Sequence, residues 1–177
     1  MSAYNGIAKV YLQNNNIVKA LEYSDKALNL TNSRLQGNQV VLNDFLFTKA
    51  KIFTKAGYYN EALAIVNAQS DKRLTEAYNK ENPKKVGKVA KRTYAELVNL
   101  KAAILLNKGS YTSFDSIVAL NEIWVKKQIG KRNFQYRNHL VNKGYRAKSK
   151  GDLKLAIKYF EAANKYTKFK PLSLIHI

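Results

Sequence analysis

The stretch AYNGIAKVYLQNNNIVKALEYSDKALNL (Ala3–Leu30) decides the fold. Tyr4, Ile7, Ala8 and Tyr11 recur at spacings of three and four, which places them on one face of a helix. QNNN then interrupts the pattern, because asparagine competes for backbone hydrogen bonds and tolerates left-handed turns. A second helix follows, with Ala20, Tyr23, Ser24 and Ala27 facing inward. The small residues Ala8 and Ala20 let two antiparallel helices approach closely, while the tyrosines fill the space beside them. The stretch reads as a helical hairpin with one apolar seam.

The hairpin recurs along the chain. In FLFTKAKIFTKAGYYNEALAIVNAQS the equivalent residues are Leu46, Ala50, Phe53, Gly57, Ala62 and Val66. In ELVNLKAAILLNKGSYTSFDSIVALNE they are Val98, Ala102, Leu105, Gly109, Phe114 and Val118. In HLVNKGYRAKSKGDLKLAIKYFEAANKYT they are Leu140, Gly144, Ala147, Gly151, Ala156, Phe160 and Ala163. Turns are expected at Asn15, Gly57, Gly109 and Gly151, spaced 42, 52 and 42 residues apart. The units run over about 1–31, 42–78, 89–127 and 133–168, and a basic inter-repeat loop is expected at 79–88. The fold class is therefore all-α, a chain of about four helical hairpins.

These residues resemble the tetratricopeptide repeat: a bulky residue, a leucine-like and a small residue, an aromatic, a glycine turn, then alanine, an aromatic and alanine. Tyr4, Ile7, Ala8, Tyr11, Ala20, Tyr23 and Ala27 follow that order, with Asn15 in the place of the glycine. The resemblance implies an α-α superhelix, a solenoid in which one hairpin buries its seam against the next. It also implies a concave groove lined by the first helix of each pair and able to take an extended or helical peptide. Some members clamp a partner's terminal carboxylate with lysine and asparagine on these helices. Projected onto this chain, the partner-binding groove would hold Asn5, Lys9, Phe47, Lys51, Lys55, Asn99, Ala103, Val141, Tyr145 and Lys148. Three departures stand out. The units exceed the family's minimal repeat of about 34 residues. Lys49, Lys101 and Lys143 replace Ile7, so that position is expected to be half buried with the lysine stems lying along the protein. Phe114 replaces the small residue at the helix crossing and should splay the third hairpin or shift its register.

Composition bounds the function. The 177 residues carry 31 Lys and Arg against 12 Asp and Glu, a net charge of +19. The 46% hydrophobic content is that of a packed protein rather than a disordered one. Without cysteine there are no disulfides and no thiolate chemistry. No run has the length of a membrane span, and MSAYNGIAKVYL lacks the order of a secretory signal, so a cytoplasmic protein is expected.

The charge is concentrated in two places. NKENPKKVGKVAKR (Asn79–Arg92) contains Pro83 and Gly87 and is expected to break between helices, presenting Lys84, Lys85 and Lys88. Lys126–Gly151 carries nine basic and no acidic residues, among them Lys126, Lys127, Lys131, Arg132 and Arg137, interleaved with Phe134, Tyr136 and Tyr145. A/T-rich codons account for part of the lysine and asparagine excess, but not for the loss of acids from this segment. Basic residues among aromatics can follow a phosphate backbone and stack bases.

No catalytic constellation is visible: the acids are scattered and no phosphate loop, serine elbow or HExxH helix occurs. The chain is not expected to be an enzyme or to hold a cofactor or metal. His139, beside Leu140, is expected on the surface or half buried, and Trp124 is expected to pack. Two functions remain: a scaffold binding an acidic peptide or protein in the groove, such as the sensory or adaptor part of a larger regulator, or a basic RNA- or DNA-associated protein. The final residues LSLIHI (Leu172–Ile177) resemble the translation of a transposon-end adapter used in sequencing libraries, so 172–177 is expected to be a non-native tail and the natural chain to continue past about Pro171.

Overall fold

The computed structural model describes residues 2–34, 39–77, 88–125 and 134–166. Among them the chain is all-helical, with eight helices and no strand: α1 (Ser2–Gln13), α2 (Ile17–Arg34), α3 (Gln39–Ala56), α4 (Tyr59–Ala77), α5 (Lys88–Asn107), α6 (Tyr111–Trp124), α7 (Phe134–Ser149) and α8 (Leu153–Asn164). Lys88, assigned to the inter-repeat loop by the sequence, instead opens α5. The helices divide into two compact units, residues 1–72 and 73–177.

Four hairpin turns share one backbone geometry. Asn15, Gly57, Gly109 and Gly151 adopt φ of 59°, 86°, 79° and 80°, the left-handed conformation that ends a helix. In each turn the next residue donates its N–H to a carbonyl five residues back: Asn16 to Tyr11, Tyr58 to Phe53, Ser110 to Leu105 and Asp152 to Ala147, at 2.9–3.0 Å. The left-handed residue donates three residues back. This is the Schellman arrangement, which satisfies the last carbonyls of the first helix. Two of the following helices are also capped by side chains. Asn16 Oδ1 accepts from the Lys19 N–H at 3.1 Å, and Asp152 Oδ1 accepts from the Leu155 N–H at 2.9 Å.

Because the turn is fixed, the packing register is fixed too. The residues seven before and five after the left-handed position are Ala8 and Ala20, Ala50 and Ala62, Ala102 and Phe114, and Gly144 and Ala156, and all eight are buried. Phe114 is enclosed, yet its N–H still bonds to Ser110 O at 3.0 Å, as Ala20, Ala62 and Ala156 bond to their own turns. The bulky ring therefore does not shift the hydrogen-bonding register of the third turn.

Each unit is built the same way. In unit 1, α3 packs on both α1 and α2; in unit 2, α7 packs on both α5 and α6, and α8 packs on α7. Gln69 on α4 reaches the Asn43 carbonyl on α3 at 3.4 Å. The tyrosines of the first hairpin fill its seam, with Tyr11 stacked on Tyr23 at 5.5 Å and Tyr4 at 6.0 Å from the same ring. In the fourth hairpin the exchange of volumes is different. Phe160 lies against Gly144 so closely that a Cβ there would stand 2.6 Å from its ring.

Gly144→Ala should therefore destabilise by about 1–3 kcal/mol through overpacking, although alanine is favoured in a helix by about 1 kcal/mol. Urea denaturation checks this, and Phe160→Leu in the same chain should restore most of the loss. A more stable Gly144→Ala chain would show that the two helices have room to spare.

Candidate functional site on the first helices

The first-helix residues singled out by sequence fall into two structural roles. Those ten residues before the left-handed turn, Asn5 and Asn99, are buried and bonded to the next first helix. Those six before it, Lys9, Lys51 and Tyr145, are exposed, as are Lys55 and Lys148. Asn5, Lys9, Lys51 and Lys55 belong to unit 1, and Asn99, Tyr145 and Lys148 to unit 2.

In unit 1 the asparagine and lysine do grip a carboxylate, but it is the chain's own. Asn5 Nδ2 donates to Asp44 Oδ2 at 2.7 Å, and Lys9 Nζ donates to the two Asp44 oxygens at 2.9 and 3.1 Å. Asp44 stands near the start of α3 and thereby ties it to α1. The sequence reading missed it, although an acid within the apolar run VVLNDFLF was a signal that something basic must face it. Further along α3, Lys51 Nζ lies 4.2 Å from the Phe47 ring centroid. Lys55 occupies the last turn, where the helix dipole favours a cation.

In unit 2, Asn99 is a hub rather than a surface residue. Its Nδ2 donates to Gln135 O at 2.9 Å and Gln135 Oε1 at 3.2 Å, its Oδ1 accepts from Asn121 at 2.9 Å, and its carbonyl accepts from Asn142 at 3.0 Å. One buried amide thus joins α5 to α6 and α7. Tyr145 is 52% exposed and rests edge-on against Phe160 at 5.2 Å.

His139 departs from expectation: it is fully buried rather than superficial. The Tyr136 ring stacks beside it at 6.0 Å, and its Nε2 is 3.7 Å from Glu122 Oε2, which also accepts from Lys143 Nζ at 3.0 Å. Burial pushes the Lys143 ammonium down, but the bonds to Glu122 and Tyr159 outweigh it, so its pKa ends above the ordinary value. His139 has no accessible surface for a substrate to reach. Among the described residues no cluster of His, Cys, Asp or Glu has the makings of a metal site.

Acids also tie α2 to α3 and α6 to α7. Lys49 Nζ meets Asp25 at 2.7 Å between α2 and α3. Arg146 bridges Asp115 through Nε at 3.1 Å and Nη2 at 3.0 Å between α6 and α7. The Arg146 guanidinium holds the Asp115 carboxyl below its usual value of 3.8. The side chains of Lys49 and Lys143 are 24% and 22% exposed, the half-burial expected at their shared position.

Of the basic patch, Lys84, Lys85, Lys126, Lys127, Lys131 and Arg132 lie outside the described residues, as does the tail 172–177. Arg137 is half-buried on α7, its guanidinium 5.6 Å from the Phe134 ring centroid. No described helix is long and apolar enough to cross a membrane. No protein-family model, curated protein or solved structure matches the chain.

Asn99→Ala should cost about 2–4 kcal/mol, because it strips partners from the buried Asn121 and Gln135 amides as well as its own; the thermal midpoint of the purified chain measures it. A pH dependence follows from Asp115. Its folded pKa is depressed, so its pair with Arg146 adds stability above the ordinary carboxylate pKa, which is lost as pH falls through the lower folded value. Because Asp115 is half exposed the gain is under about 1 kcal/mol. Asp115→Asn should lower the urea midpoint at neutral pH and match the parent only once the pH has fallen below the lowered folded value.

Proposed function

We propose that this chain is a protein-interaction scaffold of the tetratricopeptide-repeat kind, whose first helices take an acidic peptide or protein segment. The superhelical stacking of that family belongs to the proposal. The observation that carries it is the division of charge within the hairpins. Asp25, Asp44, Asp115 and Glu122 are held in inter-helix ion pairs. Lys51, Lys55, Tyr145 and Lys148 stand exposed on first helices. Lys51 with Lys55 on α3, and Lys148 with Tyr145 on α7, each set exposed groups at helical spacing within one unit, where a cation recognises a carboxylate by charge.

A sequence observation favours a second reading, nucleic-acid association: the absence of acids from Lys126 to Gly151. The two readings place the contact on different residues. Fluorescence anisotropy with a labelled glutamate-rich peptide and a labelled single-stranded RNA separates them. Lys51→Glu with Lys55→Glu should weaken the peptide at least about tenfold, since like charges then face each other. Charge reversal at Lys84, Lys85, Lys88 and Lys131 should leave peptide affinity within about twofold. Peptide binding indifferent to the α3 reversals, together with RNA binding abolished by the second set, sinks the scaffold reading.

A further inference from the structure

Two junctions show how a hairpin receives the first helix of the next. In unit 1, Ile52 on α3 is buried with Ala8 and Ala20, and Ile17 and Leu21 on α2 pack against that cluster. In unit 2, Arg146 on α7 lies 4.1 Å from the Tyr111 ring centroid on α6 and pairs with Asp115 at 3.0 Å. Ile52 and Arg146 each stand five residues before their own left-handed turn. Ile17 and Leu21, like Tyr111 and Asp115, stand two and six residues after theirs. Ile17 and Leu21 pack on the cluster that holds Ile52, and Tyr111 and Asp115 hold Arg146, so the same two positions of a second helix border the incoming first helix at both junctions. One junction is apolar and the other is an arginine on a tyrosine and an aspartate.

On α8 those receiving positions are Leu153 and Ile157, and they are 60% and 57% exposed. On α1 the inserting position is Val10, 54% exposed, with Ile7 one turn before it also exposed. The chain therefore carries both halves of an apolar junction, neither of them covered by the described residues. Their chemistry matches the α2–α3 junction rather than the α6–α7 one. An incoming arginine would meet no acid at Ile157 and would face the exposed Lys154 and Lys158.

We propose that α1 of a second copy docks on α8, with Val10 set against Leu153 and Ile157 as Ile52 is set in the first junction. The contact is heterologous: each copy offers a different surface, so a dimer keeps one free half at each end and further copies can add. It rests on the shared register of the hairpins and is independent of which ligand the first helices take. The apolar patch is small by the standard of stable dimers, so association is weak. Each copy carries +19, so the contact forms against electrostatic repulsion and strengthens as salt screens it. An acidic ligand would show the opposite salt dependence.

Sedimentation velocity on the full chain tests this, over a concentration series up to about 0.5 mM at low and high salt. The average mass should rise with concentration, and more steeply in high salt. Val10→Glu and the pair Leu153→Glu with Ile157→Glu should each return the chain to monomer with its helical circular dichroism unchanged. Mixing the two variants should restore a dimer that grows no further, because each variant retains the half that the other lacks. A monomer at every concentration overturns the proposal, and so does association that survives Val10→Glu or weakens with salt. A mixture that stays monomeric overturns it as well, pointing to a symmetric contact. If Leu153→Ser with Ile157→Ser lowers the thermal midpoint of a monomeric chain, the α8 face is covered from within its own chain and the proposal fails.

Discussion

A left-handed residue between two helices governs this structure because it fixes a phase. Once Asn15, Gly57, Gly109 or Gly151 takes a positive φ, the last carbonyls of one helix are satisfied and the next helix starts two residues later. The residue seven back and the residue five forward are then both turned inward, whatever they are. Ala8 and Ala20, Ala102 and Phe114, and Gly144 and Ala156 are all buried without a change in the turn. Side-chain volume is adjusted around an invariant backbone. Where Phe160 arrives in the fourth hairpin, a glycine at position 144 makes space for it.

Charge follows the same logic of position. With 12 acids among 31 bases, an acid is a scarce resource, and the structure places several of them between helices rather than on open faces. Asp44 holds Lys9 and Asn5, Asp25 holds Lys49, Glu122 holds Lys143, and Asp115 holds Arg146. Each pair is partly exposed and individually modest. Together they orient helices whose small-residue seams alone would permit sliding.

What the sequence disclosed was whatever depends on local chemistry. Turn positions were legible because few residues tolerate a positive φ, and Asn15 could be placed beside three glycines on that ground. Half-burial of Lys49 and Lys143 was legible from their alignment with Ile7. What depends on the neighbouring hairpin was not. Asn99 looked like a groove residue because nothing on α5 alone reveals that Gln135, 36 residues away, will cover it. Asp44 was overlooked because its partners lie 35 and 39 residues earlier. His139 was misplaced for the same reason: its burial is imposed by other helices, not by the composition of α7.

The Asn99 amide has a dynamic consequence. It gathers bonds from α6 and α7 into α5, so no one of these three helices can detach without breaking polar contacts in a buried place. Local opening in unit 2 is thus shared: α5, α6 and α7 form one cooperative block, and α8 is joined to α7 through the Gly144–Phe160 seam and the Lys143–Tyr159 contact. Whatever docks on Leu153 and Ile157 then stabilises α8 and, through α7, the block to which α7 belongs.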